Sequence, residues 1–164
     1  MLDNAIARIE KLRVEFETKD GTVAGVEDVS FDIGPGETVC IVGESGSGKS
    51  VSSLSLMRLI EFGGGEIANG RLIFDRKDGG ELDLATADQD LMRDIRGNEI
   101  GMIFQEPMTA LNPVFTIERQ LTEGLRVHRD MNKEQAQARA LELMQQVRIP
   151  EPERRLKQYP HELS

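Results

Sequence analysis

Cysteine is almost absent from this 164-residue chain, with Cys40 standing alone. A single thiol excludes an intrachain disulfide framework and suits a reducing compartment. With one cysteine and two distant histidines, His128 and His161, a zinc site lacks its ligands. No apolar run approaches the roughly 18 residues that a membrane span requires. The opening stretch, MLDNAIARIEKLRVEF, mixes charges throughout and has no apolar signal core. Cations are outnumbered, 20 Lys+Arg against 29 Asp+Glu, for a net charge of −9. Non-specific affinity for nucleic acid comes mainly from clustered cations, so no nucleic-acid partner is expected. There is no internal repeat and no low-complexity tract. The seven methionines form no stripe that marks a partner groove. What these absences leave is an acidic, soluble, cytosolic globular chain, long enough to bury roughly 70% of its unfolded surface.

The patterning places strands first and helices second. Alternating apolar positions predict a strand over Ile6 to Phe16, a turn at Lys19-Asp20-Gly21 and a returning strand from Thr22 to Ile33. Glu37 to Val42, ETVCIV, reads as a buried strand of a parallel sheet, with Cys40 as a small buried hydrophobe. A helix is expected over Ser50 to Ile60, stopped by Gly63-Gly64-Gly65. Arg71 to Asp75 reads as a strand entered from an Asn69-Gly70 turn. A short helix follows at Asp88 to Ile95, then a buried strand at Ile100 to Phe104. Thr116 to Arg129 and Asn132 to Val147 carry helical periodicity, and Asn132 with Gln135 has the form of a capping box. The change of character falls near Pro107 to Pro113.

One loop carries the chemistry. Gly43-Glu44-Ser45-Gly46-Ser47-Gly48-Lys49-Ser50 matches G-x-x-x-x-G-K-[ST], with a strand expected before it and a helix after. The glycines let backbone amides wrap a phosphate without side-chain clash. Lys49 brings a fixed positive charge to the β- and γ-phosphates, and Ser50 offers a hydroxyl to Mg²⁺. The helix N-terminus adds its own partial positive charge. The expected ligand is therefore a nucleoside triphosphate with Mg²⁺, and the family resemblance below implies ATP.

Two further segments make the resemblance specific. Phe104-Gln105-Glu106-Pro107-Met108-Thr109-Ala110-Leu111-Asn112-Pro113 resembles the Q-loop of ATP-binding cassette (ABC) ATPases of the oligopeptide/dipeptide importer branch. Tyr159-Pro160-His161-Glu162-Leu163-Ser164 resembles the lead into that family's LSGGQ signature, which begins at Leu163 and Ser164. GESGSGKSV, MRLIE and VRIPEPE look most like bacterial glutathione importer ATPases.

The resemblance implies an α/β P-loop core with an antiparallel β-subdomain and a helical subdomain, divided as residues 1–105 and 106–164. It implies an ATP-hydrolysing import subunit at the cytoplasmic face of the cell membrane. Partners would be transmembrane permease subunits, a second cassette arranged head to tail and, indirectly, a solute-binding protein. Gln105 would contact the Mg²⁺ and attacking-water region and sense the permease. Phe16 stands where the family stacks an aromatic on adenine, although tyrosine is commoner there; packing in the hairpin core is its other reading. Ser164 resembles the serine that touches the γ-phosphate of the opposite subunit, and its other reading is a frayed end. The Asp-Glu strand and the switch histidine lie beyond the signature in the family. The chain as given is therefore expected to bind ATP weakly and not to hydrolyse it. Arg71-Leu72-Ile73-Phe74-Asp75 imitates the Asp-terminated strand, but Arg76 follows where glutamate is needed. The competing readings are a non-catalytic nucleotide-binding module and a nucleic-acid-associated ABC ATPase.

Overall fold

The computed structural model describes residues 4–77, 79–106 and 110–163. Pro107, Met108, Thr109 and Ser164, named in the motifs above, lie outside the described residues. The chain divides into two compact units, Met1–Glu99 and Ile100–Ser164.

The first unit is built on a four-stranded antiparallel sheet in the order β2-β1-β3-β4. β1 (Ala7–Thr18) and β2 (Gly21–Ile33) form the expected hairpin, closed at residues 19–20. β3 (Gly65–Arg76) pairs with the other edge of β1, and β4 (Gly80–Asp83) closes the sheet. Alternation along β1 puts Ala7, Ile9, Leu12 and Val14 inside. Leu72 and Phe74 of β3, Leu84, and Met92 and Ile95 of α2 (Gln89–Ile95) are buried as well. α2 starts where its N-cap Asp88 accepts a hydrogen bond from the Leu91 amide at 2.8 Å.

The sheet is not regular. One extra residue on β1 lies between Ile9 and Leu12, where Lys11 has a φ of 48°. Gly70 faces this bulge with a φ of 103°, and a Cβ there would meet the Glu10 and Lys11 carbonyl oxygens and the Leu12 Cα, each at 2.7 Å. The Asn69-Gly70 pair is thus no turn. β3 runs straight through it, and the glycine answers a close backbone approach instead.

Two expected parallel strands are absent among the described residues. Residues 37–44 take no regular structure, Val42 is 91% exposed, and Cys40 is exposed rather than buried. Residues 101–104 are likewise irregular, with Ile103 94% exposed. A strand is defined by its lateral neighbour, and these apolar runs pair with none of the described strands. The helix after the loop is shorter than expected: α1 covers Lys49–Leu56, and a 3₁₀ turn at Leu59–Gly63 ends at Gly64 with a φ of 78°.

The second unit is helical. α3 (Ile117–His128) is capped by the Thr116 hydroxyl, and α4 (Lys133–Gln146) by a complete capping box between Asn132 and Gln135. α5 (Pro152–Leu156) and a 3₁₀ turn at Pro160–Glu162 follow. Ile117, Ala140, Met144 and Leu156 form its core, with Leu111, Leu141 and Leu163 packed against it. The Ile117 amide donates to the Gln158 carbonyl at 2.9 Å, which ties the start of α3 to the end of the unit.

Candidate phosphate-binding loop

The loop Gly43–Ser50 joins the irregular segment after β2 to α1 and curls around its own lysine. Lys49 Nζ donates to the Gly43 carbonyl at 2.9 Å and the Glu44 carbonyl at 2.5 Å, with a longer contact to Ser47 Oγ at 3.4 Å. The Ser47 amide donates to the Glu44 carbonyl at 3.2 Å and tightens the same curl. Gly46 and Gly48 have φ of 83° and 85°, the left-handed region that glycine enters without penalty. A Cβ at Gly43 would meet Ser47 Oγ at 2.5 Å and Ser47 Cβ at 3.3 Å, so a side chain there would force the Ser47 hydroxyl to turn away.

Gly48 is buried and serves as the N-cap of α1, which receives no side-chain cap and, among the described residues, has no acid in its first turn. The first amides of a helix have no partners within it, and its N-terminus carries a partial positive charge. Three serines bond back along α1 instead: Ser52 Oγ to the Gly48 carbonyl, Ser53 Oγ to the Lys49 carbonyl and Ser55 Oγ to the Val51 carbonyl. Their hydroxyls point down the helix, not over its end. Glu44, Ser45, Ser47 and Ser50 are exposed. This donor set fits an anion with several oxygens, and the exposed Ser50 hydroxyl fits a hard cation held beside it.

Phe16 lies on β1, half-buried, directly opposite Gly65 of β3. Gln105 occupies an exposed bend of the second unit. Leu163 packs on that unit's core, and its amide donates to the Pro160 carbonyl at 3.1 Å. His128 is half-buried at the end of α3, and His161 is exposed in the last 3₁₀ turn, stacked on Tyr159 at 5.8 Å.

The Asp-terminated strand mimic resolves into a structural ion pair. Arg76 donates to Glu99 through both Nε, at 2.8 Å, and Nη2, and also reaches Asp94 at 3.1 Å. The Lys77 amide donates to the other Glu99 oxygen at 3.2 Å. Burial pushes the Glu99 carboxyl up, but the Arg76 hydrogen bond and the Lys77 amide outweigh it and hold the group below its ordinary range. Nothing in the sequence around Asp75 announced Glu99. Sequence reading gave Gly25 no role, although glycine inside a strand pattern was a signal, and it took Gly65 only as part of the stop after the first helix, whereas Gly65 opens β3.

Residues 26–164 match the ABC transporter family. A protein of Brucella abortus named for peptide import and ATP binding is 54% identical over 159 residues, covering 97% of this chain. The glutathione import ATP-binding protein GsiA of Pectobacterium atrosepticum is 47% identical over 162 residues, covering 99% of this chain. The chain spans 47% of the length of the former and 26% of the latter. Among solved structures, a dimeric ATP-binding cassette in a post-hydrolysis state, bound to ADP and Pi, superposes with a TM-score of 0.79. At 24% identity, over 96% of this chain and 63% of that one, it shows the cassette fold. With the phosphate loop intact and the match running from β2 to the last residue, this chain belongs to the ABC transporter family.

Proposed function

We propose that this chain carries the ATP-binding part of an importer subunit that uses Mg·ATP to drive uptake of a peptide or glutathione. The observation that carries the reading is the loop itself: a lysine ammonium held across a glycine curl, at an uncapped helix end without an acid. The names of the relatives supply the solute class. In this reading the amides after Gly46 and the Lys49 ammonium hold the β- and γ-phosphates, and Ser50 offers its hydroxyl to Mg²⁺. The metal supplies charge neutralisation on the phosphate oxygens when bound.

Gln105 is read as the contact to the Mg²⁺ region and to the permease, and Phe16 as the stacking surface for adenine. Leu163 and Ser164 are read as the start of a signature that faces nucleotide on a second, head-to-tail cassette. Residues 1–105 are read as core with β-subdomain, and 106–164 as Q-loop exit with helical subdomain. Among the described residues no helix is long and apolar enough to cross a membrane. Attachment to the cytoplasmic face through permease subunits, with a solute-binding protein acting beyond them, accords with that. Titration calorimetry of the chain with Mg·ATP tests the proposal. Binding is expected, and Lys49→Ala removes most of it, because the phosphates lose the loop's one fixed side-chain cation. Equal affinity in both proteins overturns the assignment.

A further inference from the structure

Two glycines of the β-sheet stand where side chains are normally preferred, since glycine inside a strand weakens it. Neither Gly25 of β2 nor Gly65 of β3 has a positive φ, so the backbone does not ask for glycine at either place. Space does. A Cβ on Gly25 would lie 2.6 Å from Phe16 Cε2 and 3.1 Å from Cδ2. A Cβ on Gly65 would lie 2.7 Å from Phe16 Cε1 and 2.9 Å from Cζ. The two glycines therefore meet opposite edges of one ring.

The topology explains the arrangement. β1 is an inner strand, so Phe16 has β2 on one side and β3 on the other. Gly65 is its direct partner on β3, and Gly25 sits at a register shift of β2, where Val14↔Val26 gives way to Glu15↔Ala24. An aromatic side chain beside ordinary neighbours stands roughly perpendicular to the sheet. Between two bare Cα positions it can lie down across the strands. Phe16 is half-buried, and a ring lying down with its edges against the two strands has a face left to turn outward. A face, not an edge, is what stacks on a planar base.

We infer that Gly25 and Gly65 are positioning residues, which lay the Phe16 ring flat as a platform for the base of a nucleotide. The inference rests on the nucleotide reading given above. Gly65 is the cleaner site to test, because the Gly25 carbonyl also lies against Gly48 of the phosphate loop.

The experiment measures equilibrium binding of ATP and of inorganic tripolyphosphate, which has the phosphates but no base. The proteins are the parent chain, Phe16→Ala, Gly65→Ala and the double variant, with folding followed by circular dichroism. Phe16→Ala is expected to weaken ATP by about 5- to 150-fold, the range of aromatic–base stacking, and to leave tripolyphosphate unchanged. Gly65→Ala should show the same split, and the double variant should be no weaker than Phe16→Ala alone. If Gly65→Ala unfolds and removal of the ring restores it, the clash is with the ring and the inference stands. Unfolding that persists without the ring puts the demand at the Ile60 carbonyl, 3.2 Å from the same Cβ, and overturns it. So does parental ATP affinity in Gly65→Ala beside a weakened Phe16→Ala, or a full further loss in the double variant. An unchanged preference for ATP in Phe16→Ala overturns the stacking role and this inference together. Failure of the parent chain to bind either ligand overturns the nucleotide reading itself.

Discussion

Gly48 rests on Gly25: a Cβ built on the loop glycine would lie 2.8 Å from the Gly25 carbonyl oxygen and 2.9 Å from Val26 Cγ2. The end of the phosphate loop is thus seated on the backbone of β2, and α1 leaves from a fixed point. Gly48→Ala meets a left-handed φ of 85° and a backbone oxygen that cannot swing aside. The expected cost is about 1–3 kcal/mol of stability, visible as a lowered thermal midpoint. An unchanged midpoint would mean that the loop is not seated on β2.

Ser50→Ala separates metal from phosphate. Ser50 is exposed at the second position of α1, and its hydroxyl serves no back-bond of the kind made by Ser52, Ser53 and Ser55. ATP affinity should fall when Mg²⁺ is present and stay level in EDTA. An identical loss in both buffers would remove Ser50 from the metal site.

The Arg76–Glu99 pair predicts an acid-sensitive first unit. The Glu99 side chain is 5% exposed, and its carboxyl is held below the ordinary range in the fold. A depressed carboxylate contributes stability that is present above its unfolded pKa and is lost as pH falls through the folded one. Denaturant midpoints should therefore decline on acidification through and below the usual carboxylate range. Glu99→Gln should flatten that decline and cost about 1–4 kcal/mol near neutrality, between the surface and buried limits for an ion pair. A variant with the parental pH profile would show that another group controls it.

The second unit offers a test of local sequence chemistry. The Asn132 side chain accepts from the Gln135 amide at 2.9 Å, and the Gln135 side chain accepts from the Asn132 amide at 3.0 Å. Asn132→Ala leaves the Gln135 amide without its partner, while the residue-132 amide can still donate to the Gln135 side chain. The substitution should lower stability by about 1 kcal/mol, with early exchange of the Gln135 amide. Protection equal to the parent would mean that water replaces the box at no cost.

The capping box, the hairpin and both long helices were legible because their signals are local. Asn132 and Gln135 sit three residues apart, and the hairpin needs only a turn between two alternating runs. ETVCIV and Ile100–Phe104 were misread because apolar, β-branched sequence states a tendency to pair but not the neighbour that fulfils it. Asn69-Gly70 was misread for the opposite reason. The dipeptide does ask for unusual backbone geometry at Gly70, but the sheet spends it on a bulge partner of Lys11, a contact 59 positions away in sequence. At the site, G-x-x-x-x-G-K-S was readable at once. The seat of Phe16 was not, because Gly25, Gly65 and the ring meet only when three strands lie side by side.

The grip of the loop on Lys49 sets a requirement of shape beyond that of charge. Its ammonium reaches three oxygens around one small nitrogen: two carbonyls at 2.9 and 2.5 Å and a hydroxyl at 3.4 Å. An arginine keeps the positive sign but spreads its donors over a flat fork that does not converge on a point inside the backbone curl from Gly43 to Lys49. Of the three contacts, only the longest is weak enough for an arriving anion to displace without opening the curl. On the nucleotide reading, an arriving anion would take the direction held only by the 3.4 Å contact to Ser47 Oγ and leave both carbonyl bonds in place.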